Sequence, residues 1–175
     1  MTKKERIILT IVRIVLIIGT LLSLWFIFAN GTATGEASSN QSHVVTDKVQ
    51  DVVGAINPSS PIANATGAEY DFLHACIRDF GHFAQYLLLG ACAYGTYFSF
   101  KGVGNWQFSF IPVCSVFFVA STDEYIQSLV PGRGAEFTDV MVDMMGCAVG
   151  FLIALAVFAI VCVSIKARKR RMENV

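Results

Sequence analysis

Phe108-Ser109-Phe110-Ile111-Pro112-Val113-Cys114-Ser115-Val116-Phe117-Phe118-Val119-Ala120 carries no charge, and after Ser121 and Thr122 the chain reads Asp123-Glu124-Tyr125-Ile126-Gln127-Ser128-Leu129-Val130-Pro131-Gly132-Arg133. An uncharged run of this kind reads as a membrane-crossing helix, ending here in two adjacent carboxylates and a Pro-Gly turn with an arginine. Ionisable groups at the end of an apolar span are costly, so a functional role is the default expectation. The bland alternative is that the two acids merely end the helix at the water boundary.

Composition places the whole chain in the same class. Of 175 residues, 54% are hydrophobic and 15% charged, and the mean hydropathy is +0.58. That is too apolar for an ordinary soluble domain and predicts an all-α integral membrane protein. The formal net charge of zero hides an uneven distribution. Lys3, Lys4 and Arg6 sit at one end of the chain and Lys166, Arg168, Lys169, Arg170 and Arg171 at the other, while the segment after the first apolar stretch is acidic. No basic-aromatic pattern of a nucleic-acid binder is present. Cys76, Cys92, Cys114, Cys147 and Cys162 show neither CxxC nor metal-ligand spacing and read as small residues of the spans.

Working outward, the run containing Phe108–Ala120 extends to a span of about Trp106 to Val130, with Trp106 marking an interface and Pro112 in the first turns. A span from near Asp139 to before Lys166 follows, where Asp139, Asp143, Gly146, Gly150 and Ala154 form one stripe, an acidic head on a small-residue packing seam. Upstream, a span covers about Asp79 to Phe100, entered through residues 70–78. Arg78, His82, Gln85, Tyr86 and Leu89 share one of its faces, which cannot point at lipid. The first span runs from about Ile7 to Ala29, with Arg13 placed to snorkel toward Lys3, Lys4 and Arg6. An uncleaved span is preferred there to a signal peptide, whose apolar core is shorter. Between the first two spans lies a Gly-, Ser- and Asn-rich extracytoplasmic loop, 30–69, in which Val45, Val49, Val52, Val53 and Ile56 predict a short amphipathic helix stopped by Asn57-Pro58. The expected divisions are therefore 1–29, 30–69, a three-span core at 70–165 and a basic cytoplasmic tail at 166–175.

Basic residues before the first span and after the last predict that both ends of the chain are cytoplasmic, hence an even number of spans; four fits. Lys101 then marks a cytoplasmic turn, and residues 130–133 lie outside. At 1.5 Å per residue, Asp123 stands roughly 25 Å along its helix from Trp106. His82 and Asp143 each fall about one turn inside the outer end of their spans. Three helices thus bring His82, Asp123 with Glu124, and Asp139 with Asp143 to one depth, where Arg78 and Arg133 also lie. The expected ligand-binding set is Arg78, His82, Tyr86, Asp123, Glu124, Gln127, Arg133, Asp139 and Asp143.

The order of Arg78-Asp79-Phe80-Gly81-His82-Phe83-Ala84-Gln85-Tyr86-Leu87-Leu88-Leu89-Gly90, then Asp123-Glu124-Tyr125-Ile126-Gln127, then Val130-Pro131-Gly132-Arg133, then Asp139-Val140 leading to Gly146 and Gly150, resembles the VanZ family of bacterial membrane proteins. The resemblance covers about Arg78 to Gly150 and leaves out the first span and the loop to Tyr70. It implies a small multi-span protein of the bacterial cell envelope, in the cytoplasmic membrane, of a kind some of whose members are associated with low-level teicoplanin resistance. It implies no particular reaction. This chain has Asp79 where the family usually has Lys, Gln85 where Glu is frequent, and Asp143 where Asn is usual, which alters the charge of the site.

Three readings of the polar set follow. In the first, Arg78 and Arg133 take an anionic lipid head group or a lipid-linked envelope precursor, and the acids organise them. In the second, His82, Asp123 and Glu124 are the acid-base groups of a membrane-embedded hydrolase or transferase on a lipid-linked substrate; adjacent acids do not both ionise easily unless an arginine compensates. In the third, the charges only neutralise one another and pin the helices together. No cofactor is called for, although one His with two or three carboxylates can hold a divalent cation. Oligomeric state is not legible.

Overall fold

Residues 3–102 and 110–173 are described by the computed structural model, and among them the chain is wholly helical, with five helices and no strand. The first helix, α1 (Lys3–Gly31), spans 29 residues. Its buried residues are Ser23, Ile27 and Gly31, one stripe at a spacing of four, while Ile11, Val15, Leu22 and Trp25 stand in the open. A soluble core helix this apolar would be covered on all sides.

Asn30 to Glu69 is more ordered than a loop with a short helix. Thr34 caps the start of α2 (Gly35–Ile56), its hydroxyl accepting from the Ala37 N–H, and Asn57 ends the helix where the sequence places the stop. The helix begins about ten residues before the valine stripe because Ser38, Ser42, Thr46 and Gln50 recur every four residues. Thr46 is wholly buried, whereas Val45, Val52 and Ile56 are exposed. The polar face packs on the neighbouring helix, Val52 and Ile56 look outward, and Val49 and Val53 are half-buried.

That neighbour is α3 (Ala68–Lys101), an unbroken 34 residues, about 51 Å long. Residues 70–78 are its first turns and extend it well past a membrane-crossing length. Next come α4 (Phe110–Ser128) and α5 (Phe137–Glu173). Trp106 lies outside the described residues. Pro112 falls in the first turn of α4, where its missing N–H leaves no helix bond unmade. The backbone of α5 stays helical through the basic stretch after Lys166, so the expected tail is a helix extension. Helices α1 and α5 are long and apolar enough to cross a membrane.

The most intimate packing joins α3 to α5. A Cβ on Gly146 would overlap the Phe83 carbonyl, one on Gly150 would stand 2.6 Å from the Ala91 nitrogen, and one on Gly90 would stand 2.7 Å from the Cys147 carbonyl. The small-residue stripe therefore brings backbone against backbone. Tyr94 and Phe98 continue the core, with Phe151 edge-on to Tyr94 at 4.7 Å. These contacts, in rising order along both helices, make α3 and α5 parallel. Gly19 beside Cys92 and Leu16 beside Gly95 make α1 antiparallel to α3.

Arg13 turns its guanidinium to a neighbouring helix. Its Nε and Nη2 donate to the Ser99 carbonyl at 3.2 and 2.6 Å, and its guanidinium lies 4.2 Å from the Phe100 ring centroid. The last carbonyls of a helix have no partner within it, and a cation is favoured there, so the end of α3 offers Arg13 a site.

Candidate functional site

At the opposite end of the helix pack, four elements deliver polar groups to one place. Helix α3 contributes Arg78, His82 and Tyr86, spaced by four on one face. The last turns of α4 contribute Asp123, Glu124 and Gln127, and the first turns of α5 contribute Asp139 and Asp143. Residues 130–133 form a tight turn, closed by Arg133 N–H to the Val130 carbonyl at 3.2 Å, with Gly132 at φ +79° in the left-handed region that favours glycine. The Gly35 N–H donates to the Pro131 carbonyl at 3.2 Å and docks this turn on the start of α2.

Asp123 and Glu124 are 3% and 4% exposed and Asp143 is fully buried, so the carboxylates do not simply end their helices in water. His82 Nδ1 stands 3.3 Å from Asp143 Oδ1. One atom from each of His82, Asp123 and Asp143 lies within 4.8 Å of the others, a group able to hold a metal ion. Asp123 Oδ2 accepts from Gln127 Nε2 at 2.8 Å, and Gln127 Oε1 accepts from Arg133 Nη2 at 2.6 Å. Arg133 Nη1 donates to the Asn30 carbonyl in the last turn of α1 at 3.1 Å. Arg78 reaches Glu136, Asp79 and Asp139 only at 3.6, 3.7 and 3.8 Å, a loose arrangement that leaves its guanidinium available. Glu124 has a different partner from the rest. Its Oε2 accepts from the Glu136 N–H at 2.8 Å, which ties α4 to the start of α5.

Two adjoining cavities open here. One, about 290 Å³, is walled by Phe26, Val45, Ile77 and Phe80 as well as by His82, Gln85 and Asp123. The other, about 240 Å³, is lined by Ser39, His74, Gly134, Glu136 and Asp139. Ser38, Ser42, Arg78, Gln127 and Arg133 line both.

The structure thus brings Arg78, His82, Asp123, Gln127, Arg133 and Asp139 to the cavity walls. Asp143 and Tyr86 stand behind them, buried, and Glu124 braces the α4–α5 connection. Sequence reasoning missed Ser38, Ser42 and His74; Ser42 Oγ and His74 Nε2 are 2.8 Å apart. The four-residue spacing from Ser38 to Gln50 was the available signal.

A family model described as VanZ/LLP1 matches residues 16–160. The chain belongs to the VanZ/LLP1 family. No curated protein and no solved structure matches the chain. The VanZ/LLP1 match begins inside α1, so the later half of the first helix and all of α2 belong to the family region along with the motifs from Arg78 to Gly150. Family membership and the apolar α1 and α5 make this a membrane protein of the VanZ type. Every residue that lines the two cavities of the VanZ/LLP1 chain lies within the matched residues.

Proposed function

We propose that this VanZ/LLP1 chain is a four-span protein of the bacterial cytoplasmic membrane that binds the anionic head group of a membrane lipid, or of a lipid-linked envelope precursor, between Arg78 and Arg133 on the outer side. The topology reading draws on the alternation of helix direction and on the basic residues at both chain ends. Arg13, on the basic side, meets the end of α3 beside Lys101, consistent with a common cytoplasmic level.

The observation that carries the binding reading is the pair of adjoining cavities sharing two arginines. One compartment is polar and the other has an aromatic and aliphatic wall. A lipid has the same division, with a phosphate for the guanidiniums and hydroxyls and the start of a hydrocarbon chain for Phe26, Ile77 and Phe80. The loose pairs of Arg78 leave donors for an anion, and Ser38 and Ser42 add hydroxyls.

Purified full-length protein should retain a polyprenyl phosphate or phosphatidylglycerol in native mass spectrometry while losing phosphatidylcholine. Arg78→Gln should cut retention of the anionic lipid about tenfold, the loss of one charge-assisted contact, with membrane abundance unchanged. Equal retention of the anionic and zwitterionic lipids would sink the reading. A connection to teicoplanin resistance is tested separately, by comparing the teicoplanin sensitivity of cells carrying the wild type and Arg78→Gln.

A further inference from the structure

The polar end holds more buried negative charge than its cations neutralise. Asp123, Glu124, Asp139 and Asp143 are each no more than 6% exposed. Arg78 pairs with Asp79, Glu136 and Asp139, and Arg133 meets Asp123 only through the neutral Gln127 amide. His82 is left to serve Asp143. Among the described residues, Asp123 Oδ1, Glu124 Oε1 and Asp143 Oδ2 are buried with no hydrogen-bond partner. So is the hydroxyl of Tyr86, one turn beyond His82 on the same face and within electrostatic reach of Asp143 and Asp123. Buried polar atoms are almost always satisfied, and unpaired carboxylate oxygens are the most costly of them to leave bare.

We propose that His82, Asp123 and Asp143 form a binding site for a divalent transition-metal cation. Their ligand atoms already lie within 4.8 Å of one another. An ion about 2.1 Å from each draws them together by a fraction of an ångström. One imidazole with two carboxylates suits Mn²⁺ or Zn²⁺ better than Ca²⁺, which takes six to eight oxygens, or Cu⁺, which takes sulfur. The three residues come from α3, α4 and α5, so an ion here cross-links three helices. His82 and Asp123 also line the larger cavity, which leaves a side of the ion open to water or to an oxygen of whatever occupies the cavity. The site does not depend on the lipid-binding reading, since its three ligands are all side chains of this chain.

The test uses full-length protein in detergent, stripped with a chelator, dialysed, and titrated with Mn²⁺ by electron paramagnetic resonance and with Zn²⁺ by competition, with no lipid added. The expected result is one ion per chain. Asp143→Asn should weaken binding about tenfold or more, while Asp47→Asn on α2 leaves it unchanged. Bound Mn²⁺ should show imidazole nitrogen modulation that survives a combined His43→Gln and His74→Gln change and is absent in His82→Gln. No uptake by the wild type, or equal affinity in wild type and Asp143→Asn, overturns the site and means that the buried oxygens hold protons instead. Should Asp143→Asn fail to reach the membrane, the nitrogen signal of the wild type decides: its absence rejects His82 as a ligand. Because no lipid is present, failure here leaves the lipid reading standing, and failure of lipid retention leaves this one standing.

Discussion

Gln127 uses both ends of its amide, donating to Asp123 and accepting from Arg133. A neutral residue thereby lets a guanidinium and a carboxylate share a site without direct contact. Gln127→Leu, of similar volume, strips a buried donor from Asp123 and an acceptor from Arg133, and should cost about 2 kcal/mol, read as a lower midpoint of thermal unfolding in detergent. Arg13 makes the equivalent contribution at the other end. Arg13→Ala should cost about 1 kcal/mol through the lost cap on α3, with Arg13→Lys recovering only part of it because a single ammonium cannot reproduce both the fork and the ring contact. At this scale the sequence was partly legible. The agreement in depth of His82, Asp123 and Asp143 follows from helix rise and span boundaries alone. Neither the cap made by Arg13 nor the brace made by Glu124 does, because their partners are backbone groups, which no side-chain pattern reports.

Among the elements, α2 departs furthest from its reading. The valine stripe predicted a helix correctly, but hydrophobic periodicity alone cannot say whether an apolar face meets protein or lipid. Here it divides, with Val52 and Ile56 outward and Val49 and Val53 half-buried, while the serines, Thr46 and Gln50 hold the inner contact. On that inner side Tyr70 donates to Asp47 Oδ1 at 2.7 Å and also lies 3.1 Å from His43 Nδ1, while the His43 and His74 rings stack at 4.0 Å. The hydrogen bond to Asp47 raises the Tyr70 pKa above its ordinary value. The stabilisation is therefore fully present below about pH 10, the usual tyrosine value, and is lost as pH rises through the higher folded value. Limited proteolysis of residues 57–67 should accelerate across that alkaline window in the wild type, and Tyr70→Phe should show no such pH step. For the α3–α5 pair the small-residue stripe was readable in advance. Gly150→Ala should push the two helices apart at a cost of about 1–3 kcal/mol, measured as loss of thermal stability, and should weaken Mn²⁺ uptake at the end where His82 meets Asp143.

For the molecule as a whole, composition and the placement of basic residues made the all-helical membrane class readable, and the family match over residues 16–160 agrees with it. What composition could not supply is the direction of each side chain in a bilayer. The proposed four-span arrangement makes a direct prediction. Reporter domains fused at either end of the chain should be active on the cytoplasmic side, and a thiol introduced at Ser59, which is exposed, should react with an impermeant reagent in intact cells, in a background lacking the exposed Cys76 and Cys114. A reporter active on the outer side at one end would remove one span from the count.

Helix α2 is a single layer, with Ser38, Ser42 and Val45 on the larger cavity and Val52 and Ile56 exposed farther along. On the lipid-binding proposal, the larger cavity then has one helix, and no second layer of protein, on its α2 side. A long-tailed guest that entered on that side would have one helix to displace.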